Sequence, residues 1–568
     1  MTAPEPNSNN PTGDSFCLGH PRFTDAALAA VAAREGPLAA WRQAWSRHGA
    51  QAAAGVAGDF AVALRDERGR VFMAVDRFAT RSLCYRIDGA QLRFADRADA
   101  LAARSTDLDP QSIFDYLFFH VIPSPRTVFR DVHRLPPGHS AVFENGRLSV
   151  QPYWTPVFDE QHGHPFAARA VEFRSLVEAA VRTHIGTTDP ARVGCFLSGG
   201  TDSSTLAGMF GRVAGRPART YSIGFDATGY DEMEFARIAS RHFGTEHHEY
   251  YVTPDDLVRS IPTVAAAYDQ PFGNSSALPA YCCAQVAKAD GIDLMLAGDG
   301  GDELFGGNTR YAMQRIFGWY DTVPGALRTH VMEPILRQPL ASKLKLLRRA
   351  SGYVAQAQVP LPERLQMHNL LLRLGIDNVL ETGFLQHIDL ERPAREQREV
   401  WAAVDQCSPI NRLLAYDWRY TLAENDLPKV CGTTALAGVA VGFPFLDDAL
   451  LDFSLHLPSD YKLKRLTLRW FFKEALRGFL PDEIIAKKKH GFGLPFGHWA
   501  TKHAALKRLA EDSLASLAER GIVRKDFVRT LVSQRLPEAP GYYGEMVWIL
   551  LMLEQWLRAH AQDYRVED

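Results

Sequence analysis

Between Phe16 and Trp154, apolar and polar residues alternate in short runs broken by turn formers. Gly58-Asp-Phe-Ala-Val-Ala-Leu-Arg65, Val71–Val75, Leu83–Arg86 and Leu92–Ala95 read as strands, separated by Asp66-Glu-Arg-Gly69 and Asp88-Gly89 turns. The alanine-rich stretch from Asp25 to Arg47 reads as one or two helices. Further on the pattern changes. Val193–Phe196, Thr220–Phe225 and Leu294–Ala297 are short apolar runs that alternate with helical segments, which predicts a parallel sheet with helices on both faces. Residues from Met313 to Glu399 and from Ile410 onward are helix-rich. The expected division is a disordered polar start over 1–15, a mostly β unit over 16–155, a linker over 156–170 and an α/β unit with helical additions over 171–568.

Composition changes this picture little. The 568 residues leave room for two or more cores. A hydrophobic fraction of 46% and a charged fraction of 23% are ordinary globular values. A net charge of −3 gives no reason to expect nucleic acid or an anionic membrane as partner. No apolar run reaches about 18 residues, and the first residues lack the basic-then-apolar order of a signal peptide. Seven scattered cysteines do not form a disulfide framework and fit reduced thiols in a cytoplasmic protein.

The chemistry is concentrated in glycine-rich turns. Phe196-Leu197-Ser198-Gly199-Gly200-Thr201-Asp202-Ser203-Ser204 follows a predicted strand and opens a predicted helix. Glycines allow close backbone approach, the first helical N–H groups point at an anion, and the hydroxyls of Ser198, Ser203 and Ser204 add donors. No lysine closes the loop, so it is not the Gly-Lys-Ser/Thr phosphate loop. Leu294-Met-Leu-Ala-Gly-Asp-Gly-Gly-Asp-Glu-Leu-Phe-Gly-Gly307 is a second strand and glycine turn. It carries Asp299, Asp302 and Glu303, acids able to face a nucleotide and its metal. Mg²⁺ favours one or two carboxylates plus phosphate oxygens, a need that Asp202 and Asp302 would meet.

Ser-Gly-Gly-x-Asp-Ser resembles the pyrophosphate loop of the ATP pyrophosphatases, which cleave ATP between the α and β phosphates. With the acidic turn, Phe443-Pro-Phe-Leu-Asp447, and Lys489-His-Gly-Phe-Gly-Leu-Pro495 followed by Trp499, the chain resembles the asparagine synthetase family. That family has the class II amidotransferase architecture and is related to lasso-peptide cyclases and β-lactam synthetases. The resemblance implies an α+β Ntn-hydrolase-like domain, with sheets sandwiched between helices. An α/β ATP-pyrophosphatase domain of the adenine nucleotide alpha hydrolase type then follows. The N-terminal match is carried by Gly58-Asp-Phe-Ala61, Ala74-Val-Asp-Arg-Phe78, Arg81-Ser-Leu-Cys-Tyr85, Pro123–Phe129, Leu135–His139 and Tyr153-Trp154.

The resemblance also assigns roles. It implies ATP and Mg²⁺ as cofactors. Leu197, Ser198, Gly199, Gly200, Asp202, Ser203, Ser204, Ile223 and Gly298 would bind the nucleotide, with Ile223 nearest the adenine, and Asp202 and Asp302 would hold the metal. Lys489, Asp299 and Lys429 would be catalytic. Lys489 would stabilise the α-phosphoryl transition state, while Lys487 and Lys488 read as a solvated patch.

Several positions depart from the family pattern. A family glutaminase begins Met-Cys-Gly; this sequence begins Met1-Thr2-Ala3-Pro4, its Asn-Gly-Glu segment is not recognisable, and Cys17 is the only early cysteine. A degenerate, inactive glutaminase domain is therefore expected. Asp299 stands where a glutamate is usual. After Lys429-Val430, four family charges are replaced by Cys431, Gly432, Ala440 and Gly442, and Gln270 stands where an acid is common. These changes put L-aspartate in doubt as acceptor. The implied activity is amide formation from a small-molecule or peptide carboxylate, through an acyl-adenylate, with ammonia or another amine. Lasso-peptide-type macrolactam cyclisation and amidation of a sugar acid or small metabolite are alternatives. A non-catalytic scaffold, or a chain that works with a partner protein or peptide, is a further one.

Overall fold

In the computed structural model, residues 15–103, 107–227, 229–328, 353–488 and 493–566 are described, together with positions 330, 334 and 351. Residues 1–14, expected to be disordered, lie outside them, as does Lys489. The N-terminal sheet has β1 (Phe16–Gly19), β2 (Phe60–Arg65), β3 (Val71–Val75), β7 (His139–Glu144) and β8 (Arg147–Pro152) in that order, all antiparallel. A smaller sheet has the order β5 (Gln91–Ala95), β4 (Cys84–Asp88), β6 (His133–Arg134).

Period-two alternation explains the layering. Phe60, Val62 and Leu64 of β2 pack against α1 (Ala26–Glu35) and α2 (Pro37–His48) through Leu28, Val31 and Trp41. Ala61 and Ala63, one residue out of phase, join Tyr85, Leu92 and Phe94 of the smaller sheet. That sheet's other face, with Cys84 and Ala95, meets α3 (Pro110–Phe119) and helices from the second half of the chain. Two sheets thus lie between helices, and the outer helical layer is shared with the second unit. Asp76 is the local keystone. Its buried carboxylate accepts from the backbone N–H groups of Phe60 (3.1 Å), Phe78 (2.9 Å) and Thr80 (3.0 Å).

The second sheet is wholly parallel, in the order β11 (Glu246–Val252), β10 (Arg219–Phe225), β9 (Val193–Phe196), β12 (Leu294–Leu296), β13 (Ala440–Gly442). The order reverses at β9 and β12. The turns that leave these neighbouring strands therefore open side by side at the switch point, where ligands of such sheets bind. Helix α4 (Phe166–Ile185) begins inside the stretch expected as a linker, just after Pro165. Glu160 of that stretch is tied down by Asn411 at 2.8 Å and the Ser459 N–H at 2.9 Å.

The two units are joined through buried and part-buried groups. Phe78 enters the core of the second unit, 6.0 Å from the Trp418 ring. Tyr116 of α3 donates to the carbonyl of Ile549 at 2.8 Å, inside α10 (Pro540–His560). Arg22 meets Asp447 at 2.8 Å, and Asp448 accepts from Gly58 N–H at 2.6 Å. All seven cysteines are free thiols. Among the described residues, no helix is long and apolar enough to cross a membrane.

Candidate active site

Helix α5 (Thr201–Ala214) starts at the end of the first glycine loop, with Gly200 as its N-cap. Gly199 has φ +66, and a Cβ there would fall 2.3 Å from the Phe235 carbonyl carbon, so α6 (Met233–Phe243) packs against the loop backbone. The loop is shaped by Ser203, whose hydroxyl accepts from Ser198 N–H at 3.1 Å and lies 3.1 Å from Ser198 Oγ. Ser198 is exposed and Leu197 buried. Ser204 differs from expectation. It is wholly buried in α5 with an unpartnered hydroxyl, so it cannot reach a ligand without movement of the helix.

The acidic turn closes on this loop. A Cβ on Gly298 would lie 2.9 Å from Asp202 Cβ and 3.2 Å from Ser203 N. Only a glycine lets the second turn approach the start of α5 so closely. Ile223 stands half-buried at the carboxyl end of β10, beside the strand that feeds the loop.

Asp202 and Asp302 converge on one cation position. Arg469 Nη1 donates to Asp202 Oδ2 at 2.6 Å, to Asp302 Oδ1 at 2.8 Å and to Thr201 Oγ1 at 2.9 Å. Its Nη2 donates to Asp202 Oδ1. Two carboxylates meeting at one nitrogen form a donor pair suited to a hard divalent cation as well. The position taken from sequence as a metal site is thus held by a guanidinium. No cluster of three or more His, Cys, Asp or Glu among the described residues could hold a metal.

Asp299 and Lys429 form a second pair, 3.7 Å apart, and Lys429 also meets Asp426 at 2.8 Å. Lys429 lies on α8 (Leu427–Leu436), which follows a π-helical stretch over Trp418–Asp426. Burial pushes the Asp299 carboxyl above its ordinary value, and the Lys429 ammonium opposes this. Burial would lower Lys429, but Asp426 and Asp299 outweigh it and keep it charged. Beside this pair, Tyr268 donates to the Lys429 carbonyl at 3.1 Å, and its ring covers Gly432, where a Cβ would fall 2.6 Å from the ring. Cys431 is half-buried, its thiol pushed up to about 12 by burial.

The lysine run behaves differently from the solvated patch expected. Lys488 is exposed, whereas the Lys487 side chain is 9% exposed. Its Nζ lies 3.4 Å from the carbonyls of Ser198 and Gly199, 3.1 Å from Glu232 and 4.5 Å from the centre of the Phe235 ring. It holds the glycine loop to the start of α6. Lys489, expected to be catalytic, lies outside the described residues. Neither Arg469 nor Lys487 was marked by any motif.

These turns, in this order on a parallel sheet, are what a family model of asparagine synthase matches over residues 172–558. The chain belongs to the asparagine synthase family. A glutamine amidotransferase domain model matches residues 41–154. The chain is similar to asparagine synthetase [glutamine-hydrolyzing] 1 of Bacillus subtilis, 23% identical over 89% of this chain and 78% of that protein. It is also similar to a putative asparagine synthetase of Mycobacterium tuberculosis, 26% identical over 78% of this chain and 68% of that one. A third relative is amidase chyE of Penicillium rubens, 27% identical over 80% and 72%. Membership places the chain among ATP-dependent amide-forming ligases.

The early cysteine of this asparagine synthase relative has a structural place. Cys17 lies within β1, paired with Val62, and packs beside the α1–α2 core. Burial pushes its thiol up to about 11. A cavity of about 530 Å³ lies between the two units, lined by His20, Asp59, Arg77, His184, Gly442 and Asp448 among others. Leu446 also lines it, and Gly300 of the acidic turn abuts this leucine: a Cβ on the glycine would lie 2.2 Å from Leu446 Cδ2.

Proposed function

We propose that the enzyme activates a carboxylate as its acyl-adenylate and passes the acyl group to an amine, without glutaminase activity of its own. The observation that carries this reading is the abutment of the Ser198–Ser203 loop and the Asp299–Asp302 turn at the sheet's switch point. An oxygen of the acceptor carboxylate attacks the α-phosphorus of ATP, and the bond to pyrophosphate breaks. The amine then attacks the acyl carbon, AMP leaves, and the amine nitrogen loses a proton.

The loop N–H groups and the hydroxyl of Ser198 would bind the departing pyrophosphate. Asp202 and Asp302 would hold Mg²⁺, which supplies charge neutralisation to the triphosphate when bound. Lys489 would serve the α-phosphoryl oxygens. Asp299, held by Lys429, is within the turn and would receive the amine proton. A thiol raised by burial and fixed inside a strand suits packing, not attack on glutamine, which supports ammonia or another amine as the nitrogen source.

The test is product analysis with Mg²⁺-ATP, ammonium and a panel of carboxylates. AMP and pyrophosphate should appear in equal amounts, dependent on the carboxylate. Release of ADP would sink the reading. A second reading concerns the acceptor. Tyr268 over Gly432 and the neutral Cys431 leave the α8 segment beside Lys429 without added charge, which favours a carboxylate other than free L-aspartate, such as a peptide, sugar-acid or metabolite carboxylate. Asparagine formation from aspartate at a rate matching the best acceptor would exclude it.

A further inference from the structure

Arg469 is built into the nucleotide site more firmly than an incidental ion pair. It follows a short hairpin, β14 (Leu463–Lys464) and β15 (Thr467–Leu468), in the left-handed conformation with φ +55. Its N–H donates to the Lys462 carbonyl at 2.8 Å. Lys462 itself is fully buried, with Nζ 2.8 Å from Asn411 Oδ1 and 4.9 Å from the Phe158 ring centre. The guanidinium lies 3.9 Å from the centre of the Phe472 ring, and the side chain is 6% exposed. Both oxygens of Asp202 and one of Asp302 are engaged by it. Its Nε–H, also buried, has no acceptor among the described residues.

These facts conflict with a metal site ready in the free protein. Two carboxylates left together without a cation would repel, so some counter-charge is needed at all times. A divalent cation would need the same oxygens, and the protein offers it no third acidic, histidine or cysteine ligand among the described residues. The remaining ligands must come with the nucleotide, as phosphate oxygens.

We propose that Arg469 is an internal counter-cation: it holds Asp202 and Asp302 together in the nucleotide-free enzyme and releases them to the divalent cation that arrives with the triphosphate. Its guanidinium, whose Nε–H has no acceptor among the described residues, then turns to a phosphate oxygen, for which its planar fork is suited. Arg469 is a positioning residue in the free enzyme and a phosphate ligand in the complex. The proposal rests on the nucleotide reading above.

The test follows Mn²⁺ by paramagnetic resonance on the full chain, with and without α,β-methylene-ATP, whose own binding is measured separately by equilibrium dialysis. Wild-type protein should take up Mn²⁺ tightly only with the analogue. R469Q should bind Mn²⁺ without nucleotide at least about tenfold more tightly than wild type, because the competing cation is gone, and should bind the analogue more weakly. R469K, which keeps the charge but has one nitrogen, should fall between the two. If R469Q does not fold, R469K carries the comparison: Mn²⁺ binding by R469K without nucleotide no tighter than that of wild type would overturn the proposal. Equally tight Mn²⁺ binding by wild type with and without the analogue would overturn the proposal while leaving the nucleotide reading intact. Failure of the analogue to bind at all would overturn both.

Discussion

Asp299 stands 3.7 Å from Lys429, and the contact joins the glycine turn after β12 to helix α8. Burial raises the carboxyl and the ammonium draws it back down. The base form of Asp299 is therefore lost at a higher pH than for an ordinary aspartate. The acid limb of the turnover–pH profile should lie above the usual carboxylate range. K429M should shift that limb further up, because it removes the lowering charge and leaves burial and Asp426 to act. An unchanged limb in D299N would show that another group is being titrated.

Gly298 offers a test of geometry alone. In G298A the new Cβ would meet Asp202 Cβ at 2.9 Å and Ser203 N at 3.2 Å. These are the rigid first residues of α5 and cannot turn aside as a flexible side-chain tip could. The acidic turn must shift. Folding should survive, but carboxylate-dependent pyrophosphate release should fall by about ten- to a hundredfold, the usual scale for misplaced reacting groups. Normal turnover in a folded G298A would mean that the two turns need not meet.

Asp76 tests the N-terminal unit separately. It belongs to the Ala74–Phe78 motif, yet the structure gives it a backbone-capping role, with Phe60, Phe78 and Thr80 as donors. D76A strands those N–H groups in a buried setting. It should cost at least about 1–3 kcal/mol, the penalty for one unmet buried donor, read as a lower denaturation midpoint. D76N, which keeps an acceptor oxygen, should lose less. No shift in either variant would remove Asp76 as the keystone.

The contrast between Ser203 and Arg469 shows what could be read from sequence. Strand, glycine turn and helix start are local, so the loop, Asp202, Asp299 and the parallel sheet were visible in the residues themselves. Arg469 lies 267 positions from Asp202. It looks like one arginine after an unremarkable Leu-Thr-Leu run, and only the left-handed turn and the hairpin carry it into the site. The burial of Ser204 was hidden for the opposite reason. It sits inside the motif, but the 3.6-residue period turns it into the core. The sheet order was not legible because hydrogen-bonded neighbours need not follow one another in the chain.

The three lysines Lys487, Lys488 and Lys489 separate packing, solvation and chemistry. Lys488 is exposed, and K488A should be neutral within the scatter of surface changes. Lys487 touches loop carbonyls, Glu232 and Phe235, but no atom that would react. K487M should loosen the loop and raise KM for ATP by about tenfold, the scale of a lost hydrogen bond to a charged group, with a smaller change in kcat. Lys489, assigned by its spacing from Gly491, is proposed to act only when charge develops on the α-phosphoryl group. K489A should leave ATP binding nearly unchanged and lower kcat by roughly a hundredfold or more. Steady-state kinetics with the best carboxylate, and pyrophosphate exchange as a check on the first step alone, would separate the three. A kcat defect in K487M together with normal turnover in K489A would move the catalytic role to Lys487, whose position against the loop would then have to serve phosphate directly.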